Sequence, residues 1–221
     1  DLREKHRREK GGHDDDGDDD EPPLPSLSKT PIPTGATSSL PFGYDLVLRN
    51  RLPTTQLDRG QRYDVHKHVP IFLHDLLMLP GTLSLILGKT SPVEIEPRLT
   101  PALLPAHHPH IHPTTLLPCI RPAPDPPGRR RPHVPGLLLL GQGRRARRAV
   151  DAHYDAALHR RVRAVVELDV GDGGRLRRRA VRAYVWTWRG EGDEDADESW
   201  AADGVGGRGW RLEDYVYGRL G

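Results

Sequence analysis

The feature that most constrains the fold is a pair of apolar runs joined by a glycine-rich turn. The run at 162–170 largely alternates between apolar and polar residues, and the apolar residues on one side are Val162, Ala164, Val166, Leu168 and Val170. A side-chain period of two is typical of a strand with one buried face. The letters GDGG at 171–174 signal a hairpin turn. We therefore predict that 162–170 pairs antiparallel with the similar run at 180–188.

Shorter apolar segments, bounded by proline and glycine, predict the remaining strands. The segment 69–74 predicts a buried strand. The runs 114–120 and 134–140 predict two more buried strands for the same reason.

Three further segments have helical patterns. Residues 78–89 predict a turn into a short helix that ends at Gly88, and 210–220 predict a short amphipathic helix. A helix over 144–158 is predicted from residues at three- and four-residue steps, which are Ala146, Ala149, Val150, His153 and Ala157. Together with the strands, this order predicts an α+β fold, a small mixed β-barrel or sheet with peripheral helices.

Residues 1–65 differ in composition from the rest of the chain. Seven of the nine residues at 13–21 are acidic, and a stretch rich in Pro, Ser and Thr follows. Low hydrophobicity and dense charge cannot offset the conformational entropy that folding removes. We predict a disordered low-complexity tail over 1–65 and a folded domain over 66–221. An acidic tail of this kind could also bind a basic partner.

Charge and hydropathy argue against two classes of partner. The chain has 33 Lys and Arg against 31 Asp and Glu, a formal net charge of +2, and its arginine runs show no shared face. A dedicated nucleic-acid binder would show a dominant basic footprint, so no nucleic-acid partner is expected. No apolar run of about 18 residues is present, so no membrane span is expected. We expect a cytoplasmic protein, although no feature of the sequence identifies the compartment.

The histidines and the single cysteine are the obvious metal-ligand candidates. Histidines lie at 107, 108, 110 and 112, but no carboxylate or cysteine lies within that segment to complete a site. We predict an exposed polar loop there and no metal site. Cys119 lies within an apolar run, which favours a core position over a catalytic thiol.

Several segments, in order, resemble the gamma-glutamylcyclotransferase-like (avirulence-induced-gene-like) family. VPIFLHDLLMLPGTLSLILG (69–88) resembles its opening strand, loop and helix. LTPALLPAHH (99–108) and TTLLPCIRP (114–122) resemble its second and third strands. The block from VPGLLLL to VELD (134–169) resembles its strand, helix and return strand. WRLEDY (210–215) is similar to the end of the longer, fungal-type members.

This resemblance implies a fold and a reaction. The fold is a small mixed barrel with helices at its rim. The reaction releases 5-oxoproline from a gamma-glutamyl amine or peptide, because the substrate's alpha-amine attacks its own gamma-carbonyl. A Glu handles the proton, and backbone amides of a Tyr-Gly-Thr-Leu loop hold the substrate carboxylate. The resemblance implies no metal and no organic cofactor.

The resemblance also assigns residues to the site. The family loop corresponds to His74, Asp75, Leu76 and Leu77, which are the predicted substrate-binding residues. The position of the catalytic Glu is occupied by Tyr154, whose phenol has an ordinary pKa of about 10 and is a poor base.

Two residues beside Tyr154 could take over proton transfer. Asp155 supplies a carboxylate, although the helical pattern places it on the solvated face, and His153 has an ordinary pKa of about 6.5. We expect segments 74–77 and 153–155 to line one shared cleft. Three hypotheses follow, namely an active cyclotransferase, a catalytically impaired member of the same fold that binds a small molecule or a protein, and a low-complexity interaction protein.

Overall fold

The computed structural model describes residues 27, 32, 42–111, 118–123, 132–172, 174–189 and 212. The helices in these ranges are α1 (Phe42–Arg49), α2 (Pro80–Ile86) and α3 (Arg144–His153). The strands are β1 (Ile71–Leu73), β2 (Leu99–Pro105), β3 (His107–Ile111), β4 (Pro118–Pro122), β5 (His133–Leu139), β6 (His159–Asp172) and β7 (Arg175–Trp188). Short 3-10 turns lie at Thr54–Leu57, Leu76–Met78, Pro92–Glu94 and Glu96–Arg98.

Five strands close into a barrel in the order β1, β5, β2, β6, β7. Neighbouring strands are antiparallel except β7 and β1, which run parallel and complete the closure with Ile71 opposite Tyr184. Strands β3 and β4 form a separate two-stranded sheet. The predicted α+β class with a small mixed barrel is therefore the class that the structure has.

The barrel wall separates two layers of buried side chains. Because side chains alternate along a strand, Phe72 of β1 packs inside the barrel. It belongs to the same group of buried side chains as Leu138 and Val166, which we call the barrel cluster. Its neighbours Ile71 and Leu73 belong to a second group of buried side chains, which lies between the barrel wall and the helices and which we call the outer cluster. The site described below lies at the edge of this outer cluster.

The predicted hairpin is confirmed and is longer than predicted. Strands β6 and β7 pair over fourteen residues, from His159 opposite Trp188 to Asp172 opposite Arg175. The side of β6 that alternation marked as apolar packs into the barrel cluster. The predicted strands at 69–74 and 134–140 and the short helix predicted to end at Gly88 are also confirmed, with bounds that differ by a few residues. Gly88 has a φ of +62°, a conformation that suits glycine at a helix end.

The helix over 144–158 is shorter than predicted. Helix α3 ends at His153, because Tyr154 adopts an extended conformation with a ψ of 130°. Asp155 then accepts a hydrogen bond from the Ala157 amide at 2.8 Å, which stabilises a turn instead of another helical turn. Ala146 and Val150 are buried as the stripe predicts, whereas His153 and Ala157 are exposed.

The boundary predicted at residue 66 is wrong, because the chain is already packed from Tyr44 onward. Tyr44, Val47 and Leu48 of α1 lie in the outer cluster, and Leu57 and Tyr63 lie in the barrel cluster. Averaging composition over 1–65 hid this short apolar segment behind the acidic one. Apart from residues 27 and 32, the part of the predicted tail before 42 lies outside the described residues.

The histidine segment is a strand and not the predicted loop. Strand β3 pairs with β4, with His108 opposite Arg121 and His110 opposite Cys119. Pro109 is tolerated because a two-stranded sheet leaves one edge of each strand without a ladder partner. Cys119 is buried, as predicted. His112, the first part of the 114–120 run and the predicted 210–220 helix lie outside the described residues, except that Leu212 is helical and buried.

Candidate functional site

The loop after β1 is organised by the side chain of Asp75. Its Oδ1 accepts a hydrogen bond from the Leu77 amide at 2.8 Å and so caps the short 3-10 turn that follows. An aspartate that bonds an amide two residues ahead is a common way to begin a helical turn. Leu77 is fully buried and Leu76 is partly buried, so both contribute to packing here.

Tyr154 reaches the same carboxylate from the end of α3. Its hydroxyl donates a hydrogen bond to Asp75 Oδ2 at 2.6 Å. Asp75 is 6% exposed and Tyr154 is 7% exposed, so the bond is shielded from solvent. The phenol ring stacks on Trp186 of β7 with centroids 5.4 Å apart and planes at 15°. The structure thus brings the 74–77 loop and Tyr154 into direct contact.

Two histidines flank this pair. The His74 ring stacks on Tyr154 at 6.2 Å, and its Nε2 lies 3.3 Å from the Trp186 carbonyl oxygen. His159, at the start of β6, lies 5.1 Å from the Tyr154 ring. We call His74, Asp75, Tyr154 and His159 the Asp75 cluster.

Burial sets the protonation of the cluster. It raises the pKa of Tyr154 well above its ordinary value, and the negative charge of Asp75 adds to this effect. Tyr154 therefore remains a protonated donor at neutral pH and is not a base. Burial also lowers the pKa of His74 and of His159, and the charge of Asp75 opposes this only partly. Both imidazoles are therefore neutral at pH 7.

The two residues predicted to transfer a proton lie outside the cluster. Asp155 is exposed, and one of its carboxylate oxygens is engaged by the Ala157 amide. His153 is exposed as well, although the centre of its ring lies 5.4 Å from that of Tyr154, in an edge-on arrangement. The structure therefore brings His74, Asp75 and Tyr154 together and leaves His153 and Asp155 at the surface.

Sequence reasoning missed His159 and Trp186. Trp186 was recognised only as part of a strand, and its contact with Tyr154 depends on the parallel closure between β7 and β1. His159 lies beside Tyr154 because β6 begins at this residue, directly after the turn at 155–158. No pattern in the sequence marks that starting point.

An open cavity of about 200 Å³ lies at the opposite end of α3. It is bounded by the chain before β1, by the start of α3, and by Arg163 and Tyr184 on the hairpin. The guanidinium groups of Arg147, Arg161 and Arg163 lie 4.9–5.5 Å from the centre of the Tyr184 ring. The sequence expectation that the arginine runs share no face is therefore wrong for these three residues.

The described residues offer neither a metal cluster nor a membrane-spanning helix. In that part of the chain, no group of three or more His, Cys, Asp or Glu side chains is placed to hold a metal ion. Among the same residues, no helix combines the length and apolarity required to cross a membrane.

Comparison with known proteins gives one distant likeness. No model of a protein family matches the chain, and no curated protein matches it either. The chain is similar to the solution structure of the Arabidopsis thaliana protein At5g39720.1, with a TM-score of 0.42 and 18% sequence identity. The match covers 69% of this chain and 82% of that one. The resemblance to gamma-glutamylcyclotransferase-like proteins stays a prediction.

Proposed function

We propose that this chain is a gamma-glutamylcyclotransferase-like domain whose reaction site is closed and which acts as a small-molecule-binding module. The observation that carries the proposal is the buried hydrogen bond between Tyr154 and Asp75. It joins the two positions at which the chain departs from the residues that the family resemblance implies.

The first departure removes the place for the substrate carboxylate. In the implied reaction, backbone amides of the loop hold that carboxylate. In this chain the Leu77 amide already donates to Asp75, and the Tyr154 hydroxyl donates to the other oxygen of the same carboxylate. A substrate carboxylate placed here would have to displace Asp75 and would meet its negative charge at close range.

The second departure removes an accessible base. The attacking amine must lose a proton, and a positioned base contributes about 10²–10⁴-fold to the rate. Tyr154 is held protonated, and both oxygens of Asp75 already accept hydrogen bonds. The exposed Asp155 carboxylate lies outside the cluster.

The opposing hypothesis is an active acyl or aminoacyl cyclotransferase. Its best support is the cluster itself, since buried titratable groups with shifted pKa values are typical of active sites. In that case His153 or Asp155 would have to reach the substrate, and neither would require a cofactor.

Release of 5-oxoproline from a gamma-glutamyl amine separates the two hypotheses. We expect no release by the wild-type chain above the level of a heat-unfolded sample. Asp75→Gly with Tyr154→Glu restores the family residues at both positions and should produce measurable release. Asp75→Gly with Tyr154→Phe opens the loop without adding a base and serves as the matched control.

Two outcomes would contradict the proposal. Release by the wild-type chain that is abolished by Asp155→Asn or His153→Ala would establish an active enzyme. Restored release in the control, without a glutamate at 154, would show that the missing base at that position is not what prevents the reaction.

A further inference from the structure

The cavity at the start of α3 has a strongly one-sided charge. Eleven described residues line it, and none of them is acidic. Four of the eleven carry a positive charge at neutral pH, namely Lys67, Arg144, Arg147 and Arg163. Cations that converge on one small space repel each other, and an anion placed among them removes that repulsion.

Tyr184 holds two of these cations in place. Arg147 donates a hydrogen bond to the Tyr184 hydroxyl at 3.0 Å, and Arg163 donates to the same oxygen at 3.3 Å. Both guanidinium groups also lie over the Tyr184 ring, within 5.5 Å of its centre. Two arginines on different elements are therefore positioned around one partly buried tyrosine before any ligand arrives.

The opposite wall is also fixed. Asp64 is buried, and its Oδ1 accepts hydrogen bonds from the amides of His66 and Lys67 at 2.9 and 3.0 Å. Its other oxygen accepts from the Gly60 amide at 2.7 Å, which ties the segment to the preceding turn. The backbone that carries Lys67 is thereby held against the cavity.

The start of α3 adds to the same field. Gly143 precedes the helix, and the first turn contains no acidic residue and no capping side chain. Amides of a first helical turn carry partial positive charge, which favours an anion in front of them. This contribution supports the four side chains and does not replace them.

We infer that this cavity binds a small dianion, a phosphate monoester or a dicarboxylate. Guanidinium groups match the oxygen pairs of both groups, and the charges of Lys67, Arg144 and Arg147 alone exceed what a single negative charge would balance. A volume of about 200 Å³ holds roughly seven water volumes, enough for a small metabolite. The inference rests on the proposed binding role and names the chemical class of the ligand.

The site is separate from the Asp75 cluster. The cavity lies at the beginning of α3, whereas Tyr154 follows its last residue, ten positions after Arg144. At 1.5 Å per residue, these ends of the helix are about 15 Å apart. Occupation of the cavity therefore need not disturb the hydrogen bond between Tyr154 and Asp75.

Isothermal titration of the full chain with inorganic phosphate and with succinate tests the inference. At low salt we expect saturable 1:1 binding of at least one of them, weakened by added sodium chloride. Arg144→Gln should weaken it about tenfold, the usual effect of losing one charge-assisted contact. Arg145→Gln is the matched control, because Arg145 is exposed and adjacent but does not line the cavity.

Each outcome decides the matter. Binding of phosphate alone assigns a phosphate ligand, binding of succinate alone assigns a dicarboxylate, and binding of both assigns the shared dianion chemistry. Equal weakening by the two variants, or no saturation with either probe, overturns the inference. The titration does not depend on 5-oxoproline release, so failure of the anion site and failure of the proposed closed reaction site are distinguishable.

Discussion

Tyr154→Phe is the sharpest test of how the Asp75 cluster is held together. The change removes one oxygen atom and leaves the ring that stacks on Trp186. The carboxylate of Asp75 would then keep the Leu77 amide as a donor and lose the phenol. Since Asp75 is only 6% exposed, water cannot freely replace the missing donor.

The expected loss follows from the kind of hydrogen bond removed. Bonds to a charged acceptor contribute about 1.5–3 kcal/mol, and removing one partner leaves the other poorly solvated. We expect Tyr154→Phe to lower the free energy of unfolding by about 2 kcal/mol. For a chain of this size that corresponds to a fall in melting temperature of about 4–8 °C.

Tyr63→Phe provides the matched control. Tyr63 is also buried, and its hydroxyl donates to the neutral carbonyl oxygen of Pro97 at 2.9 Å. Loss of a neutral hydrogen bond costs about 1 kcal/mol, so this variant should be the less destabilised of the two. Urea denaturation with linear extrapolation measures both values on the same scale.

A double-mutant cycle with Asp75→Asn isolates the charge. In the Asp75→Asn background the phenol would meet a neutral amide oxygen, so Tyr154→Phe should cost about 1 kcal/mol less than in the wild type. Two results would refute the charge-assisted bond. One is a cost for Tyr154→Phe no larger than that for Tyr63→Phe, and the other is a cost for Tyr154→Phe that Asp75→Asn leaves unchanged.

Three further predictions address other parts of the molecule. Because burial lowers the pKa of His74, the stability that this group contributes is present above about pH 6.5 and is lost as the pH falls below it. His74→Gln should therefore reduce the fall in unfolding free energy on the acid side by about 1 kcal/mol per pH unit, as measured by urea denaturation. Burial raises the pKa of the Cys119 thiol to about 11, so Ellman's reagent at pH 8 should react slowly with the native chain and at once with the chain unfolded in 6 M guanidinium. Fast labelling of the native chain would contradict the core position of Cys119. A Cβ at Gly136 would clash with the Leu73 carbonyl oxygen, so Gly136→Ala should lower the free energy of unfolding by about 3 kcal/mol. A Cβ at Gly81 would meet no atom within 4 Å, so Gly81→Ala should not destabilise the chain.

The sequence predicts those parts of the fold that depend on local patterns. The β6–β7 hairpin was predictable because alternation and a glycine-rich turn lie next to each other in the chain. The end of α3 was not predictable, because the helical spacing of apolar residues continues to Ala157, whereas Asp155 stabilises a turn in the folded chain. The packing of 42–65 was not predicted, because this segment has few apolar residues and no local pattern. Residues such as Val47 and Leu57 are buried by contacts with strands that are distant in the sequence.

The candidate sites divide in the same way. The contact between the 74–77 loop and Tyr154 was expected only through a family resemblance, because 79 residues separate Asp75 from Tyr154. The arginine runs were visible in the sequence, but nothing in it indicated that they converge on one cavity. Its cations come from positions 67, 144, 147 and 163, and they converge because Tyr184 lies between β1 and β6 in the closed barrel.

The two departures from the family pattern are best understood as one pair. If position 154 held glutamate, the buried Asp75 would keep the Leu77 amide but lose its second donor, and the two carboxylates would repel each other. A buried tyrosine at 154 would in turn lack an acceptor if position 75 held glycine. Together Asp75 and Tyr154 satisfy each other at 2.6 Å, so the fold keeps a stable core at the position where the implied reaction needs an open one. Because each residue satisfies the other, we predict that 5-oxoproline release requires both Asp75→Gly and Tyr154→Glu.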